Sequence, residues 1–133
     1  MAHPDLLLDT SIIIDHLRKR NTRNSILFNI VDEYRLYLPT IVEFELFVGA
    51  TDPEKRQDIH DVLQFCDILP ITSDIAQHAA QLYQDLKRTN QIIEIRDLFI
   101  ASTAIIYHLP LMTINTQHFT RIDMLHVITP PSR

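Results

Sequence analysis

Short apolar runs alternate along this chain with longer stretches whose apolar residues recur every three to four positions. The runs have strand length and the stretches have helical period. Asp-Leu-Leu-Leu-Asp at Asp5–Asp9 predicts a buried strand. Thr10 and Ser11 can cap a helix continuing to about Lys19. Asn21–Asn24 is a polar break before a second helix near Ser25–Glu33. Leu36–Leu38 predicts a brief strand ended by Pro39, and Thr40 caps a helix that stops at Gly49. In Asp52-Pro53-Glu54 a capping residue, a proline and an acid stand in the order that starts a helix, here reaching about Phe65. Asp67–Ile71 predicts a third strand. Ser73–Arg88 carries Ala76, Ala79, Ala80, Tyr83 and Leu86 at helical spacing, with Lys87 and Arg88 in its last turn. Ile95–Tyr107 is nearly all apolar and predicts a buried helix, followed by strands at Leu111–Ile114 and His126–Ile128.

Strands alternating with helices in this way predict a parallel sheet covered on both faces. The 133 residues suit a single domain, residues 1–133. In open parallel sheets the functional crevice lies beyond the carboxyl ends of the strands. That rule selects Asp9, at the end of the first strand, and Asn115, just after Leu111–Ile114.

Composition narrows the chemistry. Gly49 is the only glycine. A Gly-rich dinucleotide loop, a P-loop and a nucleophile elbow are therefore excluded, since each needs glycine where backbone meets phosphate or turns sharply. The formal charge of −5 disfavours a broad basic surface for nucleic acid, but leaves room for phosphate contact through metal ions. Cys66 is the only cysteine, so no internal disulfide and no Cys-rich zinc site can form. No apolar stretch is long enough to span a membrane, and Met1-Ala2-His3-Pro4-Asp5 lacks the start of a signal peptide, which predicts a cytoplasmic protein.

Acids on otherwise apolar elements are the informative residues, because a buried carboxylate is costly unless compensated. At about 100° per residue, Glu45 falls between Ile41, Val42 and Val48 on the apolar stripe of its helix, with Gly49 at i+4 leaving space beside it. Glu43 points about 160° away and reads as a solvated acid or as one that supports the site acids from behind. Asp97 opens the buried helix beside the small residues Ala101 and Ala104. Taken singly, Asp9 and Asp97 also read as helix caps. Taken together, the acids repel one another unless cations neutralise them. Carboxylate oxygens with open positions suit Mg²⁺ or Mn²⁺, which can polarise a phosphate and activate water.

These residues bring a family into view. Leu6-Leu7-Leu8-Asp9-Thr10-Ser11, Glu45-Leu46-Phe47-Val48-Gly49, Asp97-Leu98-Phe99-Ile100-Ala101-Ser102-Thr103-Ala104, Leu109–Phe119 and Val127-Ile128-Thr129-Pro130 follow in order through nearly the whole chain. In this the chain resembles the PIN-domain ribonucleases, particularly VapC-like toxins of toxin–antitoxin pairs. The resemblance implies a PIN-like α/β/α sandwich with a short central parallel sheet. It implies a Mg²⁺- or Mn²⁺-dependent endoribonuclease that hydrolyses RNA phosphodiesters with a metal-activated water. It also implies a homodimer and a cognate antitoxin as partner. Asp9, Glu45 and Asp97 match the family's metal-site acids, and Thr10 or Ser11 the hydroxyl after the first acid. A fourth acid, frequent in the family after the last strand, is missing here; Asn115 and His118 stand in that region. Asn115 is accordingly assigned the role of orienting a water on the ion.

Arg18, Lys19, Arg20 and Arg23 form the one basic cluster. With Thr10, the three arginines are candidate RNA contacts, although the cluster reads first as a solvated helix end. Lys87, Arg88 and Arg96 are open to the same two readings. The histidines show no zinc-ligand spacing. The missing fourth acid motivates an alternative: a catalytically weak or inactive module that binds RNA or an antitoxin. A receiver domain is disfavoured because the last lysine, Lys87, precedes Leu111–Ile114. A haloacid-type phosphatase is disfavoured because no second Asp follows Asp9 by two residues.

Overall fold

The computed structural model describes residues 3–131; the two residues at each end of the expected 1–133 domain lie outside the described residues. Five strands form one sheet: β1 (Asp5–Leu8), β2 (Arg35–Pro39), β3 (Cys66–Leu69), β4 (Leu111–Met112) and β5 (Val127–Ile128), in the order β3-β2-β1-β4-β5. All four pairings are parallel, with Leu7 opposite both Tyr37 and Leu111. The helices are α1 (Thr10–Arg18), α2 (Ile26–Ile30), α3 (Thr40–Val48), α4 (Pro53–Leu63), α5 (Ser73–Arg88) and α6 (Ile95–Ile106). This is the α/β architecture the alternating pattern predicts. Among the described residues, no helix is long and apolar enough to cross a membrane.

The central strand explains itself. Leu6, Leu7 and Leu8 are fully buried, as a strand covered on both faces requires. Around them pack Ile12 and Ile13 of α1, Val42 and Leu46 of α3, and Ile100, Ala101 and Ala104 of α6. The small residues Ala101 and Ala104 are fully buried in that core.

Helix starts differ from expectation in three places. Thr10 is the first residue of α1, with Asp9 at the cap position making no capping bond; Ser11 Oγ instead donates to Asp9 Oδ2 at 3.1 Å. Pro39, not Thr40, precedes α3 at the cap position. Asp97 does not cap α6, because Glu94 holds that position, also without a side-chain bond. Asp52 does cap α4, accepting from Lys55 N at 2.8 Å. Gly49 ends α3 with φ −79°, which any residue can adopt. The polar break at Asn21–Asn24 folds as a single 3-10 turn, capped by the Asn21 side chain.

Candidate active site

β1 sits where the chain reverses its direction of building, with β2 on one side and β4 on the other. Beyond the carboxyl ends of β1 and β4 the crossovers depart to opposite sides and leave a crevice. Asp9 follows β1 into it and is 1% exposed. Its amide donates to Met112 O at 3.1 Å, so the residue is fixed to the end of β4. Asp9 Oδ2 accepts from Thr113 Oγ1 at 2.8 Å and from Ser11 Oγ. Ser11 Oγ also accepts from Ile114 N, and Thr113 Oγ1 from Asn115 N.

Glu45 reaches the same crevice from α3. Its neighbours are less enclosed than the helical wheel implied: Phe44 and Val48 are 62% and 63% exposed, and α3 buries Val42 and Leu46 instead. Thr10 Oγ1 donates to Glu45 Oε1 at 2.8 Å. Thr10 is thus turned inward and buried, a support for Glu45 rather than an exposed RNA contact. Asp97 arrives from the first turn of α6 and is 2% exposed.

One side chain joins the three acids. Arg96 Nε donates to Glu45 Oε2 at 2.5 Å, Nη1 to Asp97 Oδ1 at 2.5 Å, and Nη2 to Glu45 Oε1 at 3.0 Å. Nη2 also lies 3.3 Å from Asp9 Oδ1 and 3.2 Å from Thr10 Oγ1. Sequence reasoning left Arg96 between solubility and surface contact. Its signal was present but unread: an arginine in the first turn of a helix faces the positive end of the helix dipole, and needs nearby acids to offset that. Thr113 was also missed, since nothing local distinguishes it from other strand-end threonines.

Burial pushes the Asp97 carboxyl above its ordinary pKa, while Arg96 and His118 pull it back. Burial works against the Arg96 charge. The bond to Glu45 and the charges of Asp97, Glu45 and Asp9 outweigh it and hold the guanidinium above its usual value. His118 Nδ1 lies 3.5 Å from Asp97 Oδ2 at the exposed rim.

Hard carboxylate oxygens from three elements, already gathered on one cation, fit Mg²⁺ or Mn²⁺ by donor chemistry. Three carboxylates against one guanidinium leave the pocket with surplus negative charge, which favours a cation of higher charge. Among the described residues, no three His, Cys, Asp or Glu side chains stand close enough together to hold an ion; the three acids meet on Arg96 instead.

A cavity of about 450 Å³ opens from this crevice, lined by Asp9, Ser11, Arg18, Lys19, Arg96 and Asn115 among others. Asn115 is half-buried at its edge. Arg18 shares the cavity, and Lys19 pairs with Asp15 at 3.4 Å. Arg20 and Arg23 are exposed beyond the end of α1 and do not line it.

A family model described as PIN domain matches residues 6–125. The chain is 34% identical to "Ribonuclease VapC" of Rickettsia bellii over 133 residues, covering 95% of this chain and 96% of that one. It is 31% identical to "Ribonuclease VapC1" of Methanocaldococcus jannaschii, covering 88% of this chain and 80% of the relative. Among solved structures it is similar to VapBC-1 from nontypeable Haemophilus influenzae, with TM-score 0.81, 26% identity, and 93% and 96% of the two chains covered. It is also similar to VapBC2 from Rickettsia felis bound to a DNA fragment from their promoter, with TM-score 0.79, 26% identity, and 95% and 98% covered.

Proposed function

The chain belongs to the PIN-domain family and its VapC group, and from that premise we propose that it is a divalent-metal-dependent endoribonuclease, the toxin of a toxin–antitoxin pair. The observation that carries the reading is the meeting of Asp9, Glu45 and Asp97, drawn from three separate elements onto one cation at the carboxyl edge of the sheet.

Asp9, Glu45 and Asp97 would hold Mg²⁺ or Mn²⁺. Such an ion supplies charge that polarises a phosphodiester and lowers the pKa of a water. Ser11 and Thr113 hold Asp9 in one orientation by hydrogen bonds, and Thr10 does the same for Glu45. Asn115 would orient a water beside the acids; that it lines the same cavity as Asp9 supports this. Of the three arginines Arg18, Arg20 and Arg23, Arg18 is the one that lines the same cavity as Asp9, which supports its meeting an RNA phosphate. Arg20 and Arg23 would extend that contact along the strand.

An antitoxin partner is supported by the neighbouring structures, whose titles describe VapBC assemblies. A homodimer and a cytoplasmic setting are proposed from the family resemblance and the lone Cys66. The test is cleavage of single-stranded and structured RNA by the purified protein. Cleavage that requires Mg²⁺ or Mn²⁺, stops in EDTA and is lost in Asp9→Asn supports the reading. Undiminished cleavage in EDTA overturns it. The second reading, a binding module without catalysis, is favoured by the occupation of the acid pocket by Arg96. It requires RNA or antitoxin binding with no cleavage under any divalent ion.

A further inference from the structure

We propose that Arg96 is a built-in counter-ion that competes with the divalent cation for Asp9, Glu45 and Asp97. The metal-loaded state then requires the guanidinium to let go of the carboxylates. This inference rests on the metal-dependent reading above.

Four features of the site carry it. First, one guanidinium bonds all three acids, and it does so with all three of its nitrogens. The planar fork is spread across the pocket rather than paired to one carboxylate, so it fills the place where a shared ion would have to sit. Second, the acids converge on Arg96 and on no common point of their own. Their spacing is that of a guanidinium cage, and an ion of smaller radius draws them closer only if Arg96 withdraws. Third, withdrawal is sterically open. The Arg96 side chain is 24% exposed, against 2% and 3% for Asp9 and Asp97, and it lines the 450 Å³ cavity. Withdrawal would swing its long stem toward that opening. Fourth, its place in the first turn of α6 sets it against the helix dipole. The three acids, with Thr10 Oγ1 beside them, hold it there, so an ion that neutralises the acids removes the charge that retains it.

A purely structural ion pair predicts the opposite response to its removal. If Arg96 only props the acids in place, deleting it weakens metal binding. If it competes, deleting it strengthens metal binding. The deciding measurement is Mn²⁺ affinity, by isothermal calorimetry and by electron paramagnetic resonance of free Mn²⁺, on the full chain and on Arg96→Gln. Thermal unfolding is followed with and without Mn²⁺. The expected result is an affinity at least about ten-fold higher in Arg96→Gln, a lower midpoint without metal, and a larger upward shift on adding Mn²⁺ than in the parent chain. Arg96→Lys keeps the charge but loses the fork, and should give an intermediate affinity; it also serves if Arg96→Gln does not fold without metal. Equal or weaker Mn²⁺ affinity in both variants, with the parent chain binding Mn²⁺, overturns this inference alone. No Mn²⁺ binding by parent or variants overturns both it and the metal-dependent reading.

Discussion

The Thr113 hydroxyl donates a 2.8 Å hydrogen bond to Asp9 Oδ2, tying the end of β4 to the end of β1 across the crevice of the sheet. Both residues are buried, and Thr113 Oγ1 also accepts from Asn115 N. Thr113→Val keeps the shape and removes the bond, leaving an unpaired amide and a carboxylate short of one donor. Stability should fall by about 1–3 kcal/mol, as chemical denaturation would measure. Metal affinity should fall by about ten-fold. Thr113→Ser should restore both.

Asp9→Asn removes one of three negative charges from the pocket while retaining the side chain's size. Mn²⁺ affinity and RNA cleavage should both drop by on the order of 100-fold, with circular dichroism unchanged. Retained cleavage in this variant would remove Asp9 from the site.

Asn115 makes no side-chain cap to the turn that follows it, so its amide is free of that structural duty. Asn115→Ala should leave the melting temperature within a degree or two and slow RNA cleavage by about ten-fold. Unchanged metal affinity together with unchanged cleavage would end its assigned role.

His16 supplies a pH dependence independent of the acid pocket. Its Nδ1 lies 2.7 Å from Ser25 Oγ, within hydrogen-bond distance, and Ser25 Oγ also accepts from Phe28 N. Burial lowers the His16 pKa, with Asp15 opposing. As pH falls, the unfolded chain takes up this proton first. The stability due to neutral His16 is therefore complete above the unfolded value of about 6.5 and is lost as pH drops from there through the lower folded value. Melting temperatures of the parent chain should decline across that window more steeply than those of His16→Gln.

Burial, helped by Asp67, pushes the Cys66 thiol up to about 12. At pH 8 almost none of it is thiolate, the reactive form. Disulfide-exchange labelling of the native protein should be more than about 100-fold slower than in denaturant. Rapid native labelling would show that β3 opens.

The order of elements was legible in the chain because strand and helix leave different periods in the placing of apolar residues. Leu6–Leu8 read as a buried strand, and the nearly all-apolar run around Ala101 and Ala104 read as a buried helix, and both are buried. The acids Asp9, Glu45 and Asp97 were conspicuous for being charged on apolar elements, and their motifs carried the family resemblance. What covers each helix face was less legible: Val48 belongs to the same apolar stripe as Val42, yet one is exposed and the other buried. A helical period assigns residues to a face but does not say how wide a band the rest of the molecule covers.

Thus local periodicity and the scarcity of glycine determined, from the sequence by itself, a parallel α/β chain with three acids worth watching. Only the tertiary structure decided that Arg96 lies among those acids and that Thr113 anchors the first of them. Asp9 is 87 residues from Arg96 and 104 from Thr113 along the chain. Contacts across such separations arise from the order in which strands join the sheet, and no local pattern of residue types records that order.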